Sequence, residues 1–193
     1  WKKIKIKRIR VPDILCLSCG RRVESRAKTT FEVSMSHSLS DEERGWDYGL
    51  QDTDLVAFVL CQRSGERPID WRAADVVYYA SVDDLRSAQG TGCASIFQPK
   101  GAEEGFEARI SWPAVVASAS GRVVSLSADR LQYRRNSAGR TITIRLARRD
   151  AIMQPLVPLA STVVQNQVLA AVIPMSTVVP CGERVAAEYY LRR

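Results

Sequence analysis

Apolar and polar residues alternate along much of the chain, and the parity of that alternation predicts its elements. In "KKIKIKRIRV", residues 2–11, Ile4 and Ile6 share one parity while Ile9 and Val11 share the other. A half-buried strand with a bulge near Arg8 accounts for the switch, and Pro12 ends it. "CLSCG", residues 15–20 with its leading Leu, reads as a tight turn in which Gly20 is free to take a positive φ. Residues 21–36, "RRVESRAKTTFEVSMS", predict one long strand. Its odd positions Val23, Ala27, Phe31, Val33 and Met35 would face a core, and its even positions Glu24, Arg26, Lys28, Glu32 and Ser34 would form a charged face. "LSDEERGWDYGLQ" predicts a short helix capped by Ser40 with acids in its first turn. "DLVAFVLC" is a nearly continuous apolar strand buried on both faces. "DVVYYAS" is another strand, and "SVDDLRSA" begins a helix capped by Ser81.

The style then changes. "GTGCASIFQPKGAEEGFEARISWP" is rich in turn residues, and from Gly121 the segments "RVVSLSA", "RLQYRR" and "RTITIRLAR" and the stretch from Leu156 to Pro180 read as strands alone. The expected fold is therefore an α+β, nuclease-like domain with a mixed sheet over residues 1–108, followed by an all-β small barrel or sandwich over residues 109–193.

Composition supports a packed core, with 46% hydrophobic residues in 193. No apolar run reaches the length of a membrane span and no secretory signal is visible, so no membrane partner is expected. The chain begins at Trp1, which is compatible with a trimmed or partial sequence. Five Cys with one close pair do not suggest a disulfide framework, and a cytoplasmic location with reduced thiols is expected. The net charge of +7 is unevenly spread. Residues 1–28 carry ten Lys/Arg against Asp13 and Glu24, and residues 121–150 carry eight Arg against Asp129 and Asp150. Residues 29–120 carry fifteen acids against seven bases. Two basic segments around an acidic middle suit a surface that meets a polyanion, with DNA or another nucleic acid as the usual candidate. The nucleic-acid-binding residues expected from this are Lys2, Lys3, Lys5, Lys7, Arg8, Arg10, Arg134, Arg135 and Arg140.

The order strand, Pro12-Asp13, turn, strand with Glu24, Arg26 and Lys28, apolar strand, strand and "DDLR" helix resembles the PD-(D/E)xK, restriction-endonuclease-like superfamily over roughly the first 90 residues. The resemblance implies a hydrolase acting on phosphodiester bonds. Asp13 and Glu24 would hold Mg²⁺, with Glu24, Arg26 and Lys28 as the catalytic set. A hard divalent cation held by carboxylates polarises a phosphate and lowers the pKa of an attacking water, while a neighbouring cation stabilises the developing negative charge. Where the family places Lys two residues after the acid, this chain has Arg26, which stays protonated and can steady a phosphate.

The second half, from Gly121 through Pro174, is similar to the sandwich-barrel hybrid segment of the RNA polymerase beta subunit and, more distantly, to biotinyl and lipoyl domains. The resemblance lies in the "PLV" step, a following Val and "QVLA". Those families place Gly-Asp between the two Val positions and Gly before the Gln, where this chain has Ala160-Ser161 and Asn166. Residues 101–193 contain no Lys, which excludes a swinging-arm carrier because no amine exists to acylate.

Cys16-x-x-Cys19-Gly20 has the form of half a Zn²⁺ site, with Cys61 and Cys93 as conceivable further ligands. Cys61 equally suits the end of an apolar strand. His37 is isolated and does not support nucleophilic catalysis. Trp46, Trp71, Trp112, Tyr78 and Tyr79 are better read as packing residues than as base-stacking platforms. Three readings follow: a metal-dependent nuclease, a non-catalytic nucleic-acid-binding or polymerase-associated module, and a structural subunit of a larger assembly.

Overall fold

The computed structural model describes residues 13–99, 101, 107–148 and 151–179. Lys2, Lys3, Lys5, Lys7, Arg8 and Arg10 lie outside the described residues. The chain is mostly β, with one α-helix among the described residues.

The first part runs β1 (Ile14–Leu15), β2 (Arg22–Lys28), β3 (Val33–His37), a 3₁₀ turn (Glu42–Arg44), β4 (Leu55–Arg63), a second 3₁₀ turn (Pro68–Asp70), β5 (Trp71–Ser81), α1 (Val82–Gly90), β6 (Ser95–Phe97) and β7 (Ala108–Trp112). One sheet has the order β1-β2-β4-β5, and a second has β3-β7-β6. The first sheet is mixed: β2 and β4 are parallel, and the other pairings are antiparallel.

The alternation over residues 21–36 does not continue as one strand. It breaks after Lys28, and Val33 starts β3 in the other sheet. The alternation is unbroken in the sequence, but the face that meets the main core changes across the break, from even positions in β2 to odd positions in β3. The segment after Ser40 forms a single 3₁₀ turn rather than a helix, and its cap is Asp41, whose carboxylate accepts from Glu43 N. Ser40 instead joins Ser38 and the Leu39 backbone in donating to Glu107. The carboxylate's own backbone N–H and that of Leu39, with the two serines, hold Glu107 down at about 2. Ser81 does cap α1, accepting from Asp84 N, and Val82, Leu85 and Ala88 form the buried stripe. Gly20 takes φ 76°, as the turn requires.

One core lies between the two sheets and α1. Trp46 and Trp112 meet edge to face there, with centroids 5.0 Å apart. Their indole N–H groups are satisfied by Gln89 Oε1 at 2.7 Å and Leu85 O at 3.0 Å. Trp46, Trp112 and Tyr78 are thus packing residues, while Trp71 is 40% exposed.

The second part comprises β8 (Ala114–Val116), β9 (Gly121–Leu126), β10 (Arg130–Arg135), β11 (Thr141–Arg145), β12 (Ala147–Arg148), β13 (Ala151–Ile152), β14 (Gln154–Pro155), β15 (Thr162–Val163) and β16 (Val168–Ala171). Its largest sheet has the order β11-β10-β9-β15 and packs Val123, Leu131, Tyr133, Ile144 and Val163 against Leu169 and Ala170 of the β14-β16-β8 sheet. Ala160 and Asn166 take φ 64° and 67°, so the tight turns form without glycine.

The two parts interlock. The expected boundary at residues 108 and 109 falls inside β7, which pairs with β3 along its whole length. Ala171 and Ile173 belong to the first core. Tyr79 and Ser176 exchange backbone hydrogen bonds of 2.8 and 2.9 Å, and Val168 N donates to the Tyr78 hydroxyl. Among the described residues no helix is long and apolar enough to cross a membrane.

Candidate functional site

Two regions carry the charged residues singled out by the sequence, and the fold treats them differently. The first is the β1–β2 hairpin. Its register pairs Ile14 with Val23 and Leu15 with Arg22, which sets Asp13 across from Glu24. Down β2, Glu24, Arg26 and Lys28 lie beside Val56, Phe58 and Leu60 of β4. Neighbours in register point to one side of a sheet, and Val56 and Phe58 are core residues. The charged row therefore faces inward, on the core side. Val23 lies on the other face, in a smaller cluster with Leu55 and Ala57. This corrects the expectation that the odd positions of β2 would face the main core and the even, charged positions the opposite side.

Burial requires partners, and the row has them. Glu24 is 5% exposed and accepts from Arg26 Nη2 at 2.7 Å. Arg22 reaches the buried Asp54 at 3.5 Å and donates to Gly49 O. Lys28 Nζ donates to Ser34 Oγ at 3.0 Å and lies 3.3 Å from Glu32, which Arg109 also contacts. Burial lowers the pKa of the Lys28 ammonium, with the Glu32 charge opposing the shift. Asp13 accepts from Ser25 N at 2.7 Å, which fastens the start of β1 to β2 beside Glu24.

Cys19 is buried and Cys16 half-buried, and the turn between them is closed by Gly20 N donating to Cys16 O. Among the described residues no three His, Cys, Asp or Glu side chains converge on a point that could hold a metal ion. Cys61 and Cys93 are thus not brought together with Cys16 and Cys19. His37 Nδ1 accepts from Trp46 N at 3.3 Å, a local structural contact.

The second region is the outer face of the β11-β10-β9-β15 sheet. Alternation again sorts the residues: Leu131 and Tyr133 point to the core, and Arg130, Gln132 and Arg134 point out. The register places Arg130 directly across from Arg145, and Arg134 directly across from Arg122. Gln132 donates to Thr143 Oγ1 between the two arginine pairs. Like charges directly opposite each other on a sheet repel, and here two such pairs sit on one exposed face. Local acids do little to offset them. Asp129 contacts Arg130 at 3.0 Å, and Arg122 Nε donates to Ala160 O. Arg134 and Arg145 have no ion-pair partner among the described residues.

Of the three described arginines expected to bind nucleic acid, Arg134 is on this face and Arg140 is exposed at the β10–β11 turn. Arg135 is turned the other way. Its Nη2 donates to Ser118 Oγ at 2.7 Å, and Ser118 is bonded to the Tyr133 hydroxyl. Arg122, Arg130 and Arg145, part of the basic segment 121–150 but not singled out within it, lie on the same face as Arg134. The signal was present in the alternation of the three strands, but only the register shows that the arginines fall in opposed pairs. Comparison with protein-family models, curated proteins and solved structures finds no match for the chain.

Proposed function

We propose that the chain binds nucleic acid through its phosphate backbone, using the outer face of β9, β10 and β11. The observation that carries this reading is the opposed pairs Arg130/Arg145 and Arg122/Arg134 on an exposed face. Self-repulsion disfavours them in the isolated protein, and a bound polyanion removes that cost. Guanidinium groups present planar, forked donors that match phosphate. The pairs are four residues apart along β10, roughly 13 Å, so one face can hold more than one phosphate. Binding of this kind is largely independent of sequence. Fluorescence anisotropy with a labelled oligonucleotide tests it. Arg122→Gln with Arg134→Gln, and separately Arg130→Gln with Arg145→Gln, should each weaken binding by about ten-fold or more at low salt. Unchanged affinity in both variants would move the reading to a structural subunit of a larger assembly.

A second reading is favoured by the hairpin register: a nuclease-like site in which Asp13 and Glu24 serve Mg²⁺. Such an ion is commonly held by one or two carboxylates, with phosphate and water oxygens completing its shell, so two acids from this chain fit as donors. The ion would polarise the scissile phosphate and acidify a water. Arg26 would have to leave Glu24 for the phosphate, and Lys28 would add charge from the next position on the same face. Cleavage of single- or double-stranded DNA with Mg²⁺ or Mn²⁺, abolished by Glu24→Gln in a folded variant, would establish it. A wild-type protein that cuts neither form leaves the binding reading alone.

A further inference from the structure

The turn that follows β15, the strand paired to Arg122, lines a cleft that the backbone-binding reading does not use. The cleft has a volume of about 400 Å³ and lies between β5 and the turn at residues 164–167, within the range of about 300–1,000 Å³ of small-molecule sites. The half-buried Phe31 lines it, backed edge to face by the buried Tyr78, with centroids 5.3 Å apart. Gln62, Arg72 and Asp75 come from the β4–β5 side, and Gln165 and Asn166 from the turn. None of these five side chains has a hydrogen-bond or ion-pair partner among the described residues. The Phe31 ring, with free amide, guanidinium and carboxylate groups around it, offers an aromatic edge together with donors and acceptors to a flat polar molecule.

The turn is fastened to the arginine-bearing strand. Thr162 of β15 pairs with Arg122 of β9, Gln165 N donates to Ser120 Oγ at 3.1 Å, and Asn166 N donates to Ala117 O at 2.8 Å. From Thr162 to Gln165 the chain covers three residues, roughly 10 Å at most. A strand whose phosphates lie on Arg122 and Arg134 can thus bring a neighbouring base to the cleft. Single-stranded nucleic acid is recognised by this combination of base stacking on aromatic rings and hydrogen bonding to base edges.

We infer that the cleft takes one unpaired base of a single strand held on the arginine face, which rests on the nucleic-acid reading above. It follows that the protein prefers single strands to duplex, because a paired base cannot leave its stack without cost.

The test uses the full chain and three labelled probes of equal length: a single-stranded oligonucleotide, its duplex, and a fully abasic strand carrying phosphates alone. Wild-type protein should bind the single strand about ten-fold or more tightly than the abasic strand, as expected for one stacked base. The double variant Gln62→Ala/Asn166→Gly should lose that preference while keeping its affinity for the abasic strand. Glycine suits φ 67° at position 166, so the fold should hold, and a thermal melt checks it. A single variant, Gln165→Ala, should show a smaller loss in the same direction. Equal, salt-sensitive binding of all three probes by the wild type would overturn the base pocket and leave the arginine face standing. No binding of any probe would overturn both.

Discussion

Strand β2 and the β9–β10–β11 sheet are written in similar code, and they use it in opposite ways. "RVESRAK" and "RLQYRR" both alternate charge with apolar residues. In β2 the charged row faces the main core and every member is tied to another group. In β10 the charged row faces solvent and stands opposite more arginine. Alternation states which residues share a face, and the neighbouring strand decides whether that face is wet. Beside β2 lies β4, apolar on both faces, so either parity of β2 meets packed side chains. Opposite the outward residues of β10 the neighbouring strands present Thr, Ser and Arg. Paired, buried charges hold a structure in register, whereas exposed, opposed like charges are a liability unless something anionic covers them.

This contrast can be broken by substitution. The largest effect is expected at Glu24. Glu24→Gln leaves the Arg26 guanidinium, 25% exposed, without its anion, and should destabilise the fold by about 3 kcal/mol, read by urea unfolding. A loss below about 0.5 kcal/mol would mean the inward row is not structural. Gly121→Ala comes next. An added Cβ there would collide with the Arg134 backbone carbonyl, so β9 must part from β10 at a cost of about 2 kcal/mol. The Arg122/Arg134 pair should separate with it and weaken oligonucleotide binding.

The remaining effects are smaller and run the other way. Ala160 holds φ 64° and its carbonyl accepts from Arg122 Nε. Ala160→Gly removes left-handed strain of about 1 kcal/mol or more, offset by the added freedom of glycine in the unfolded chain. A net gain of about 0.5 kcal/mol is expected, with binding unchanged. Arg145→Gln relieves one cross-strand repulsion and should raise stability by a few tenths of a kcal/mol while lowering affinity for nucleic acid. A substitution that stabilises the protein and weakens its binding would mark the outer face as functional. If Arg145→Gln instead destabilises, the opposed pair has a structural role like that of the β2 row.

Much of this was legible in the residues, for identifiable reasons. Strand β4 announces itself by unbroken apolar character, α1 by Ser81 with acids in its first turn, and the Gly20 turn by the absence of a Cβ. The split of residues 21–36 was not legible, because the apolar residues stay on odd positions on both sides of Lys28 while the core-facing parity changes from even in β2 to odd in β3. The inward turn of Glu24, Arg26 and Lys28 was hidden because the strand that covers their face, β4 with Val56 and Phe58, lies about thirty residues on. The arginine pairs depend on register across three strands, which local sequence does not state. The cleft depends on a turn more than eighty residues from Tyr78 that docks near it.

The central claim is that the outer arginines meet phosphate, and its most direct test is the salt dependence of binding. Each phosphate neutralised on a single strand contributes roughly −0.7 to the slope of log affinity against log salt. With Arg122, Arg130, Arg134 and Arg145 engaged, their joint contribution is about −3. Replacing all four by Gln should flatten the measured slope by that amount, while Arg135→Gln, whose side chain is bound to Ser118, should leave it unchanged. A slope that is the same in the wild type and the fourfold variant would contradict the account.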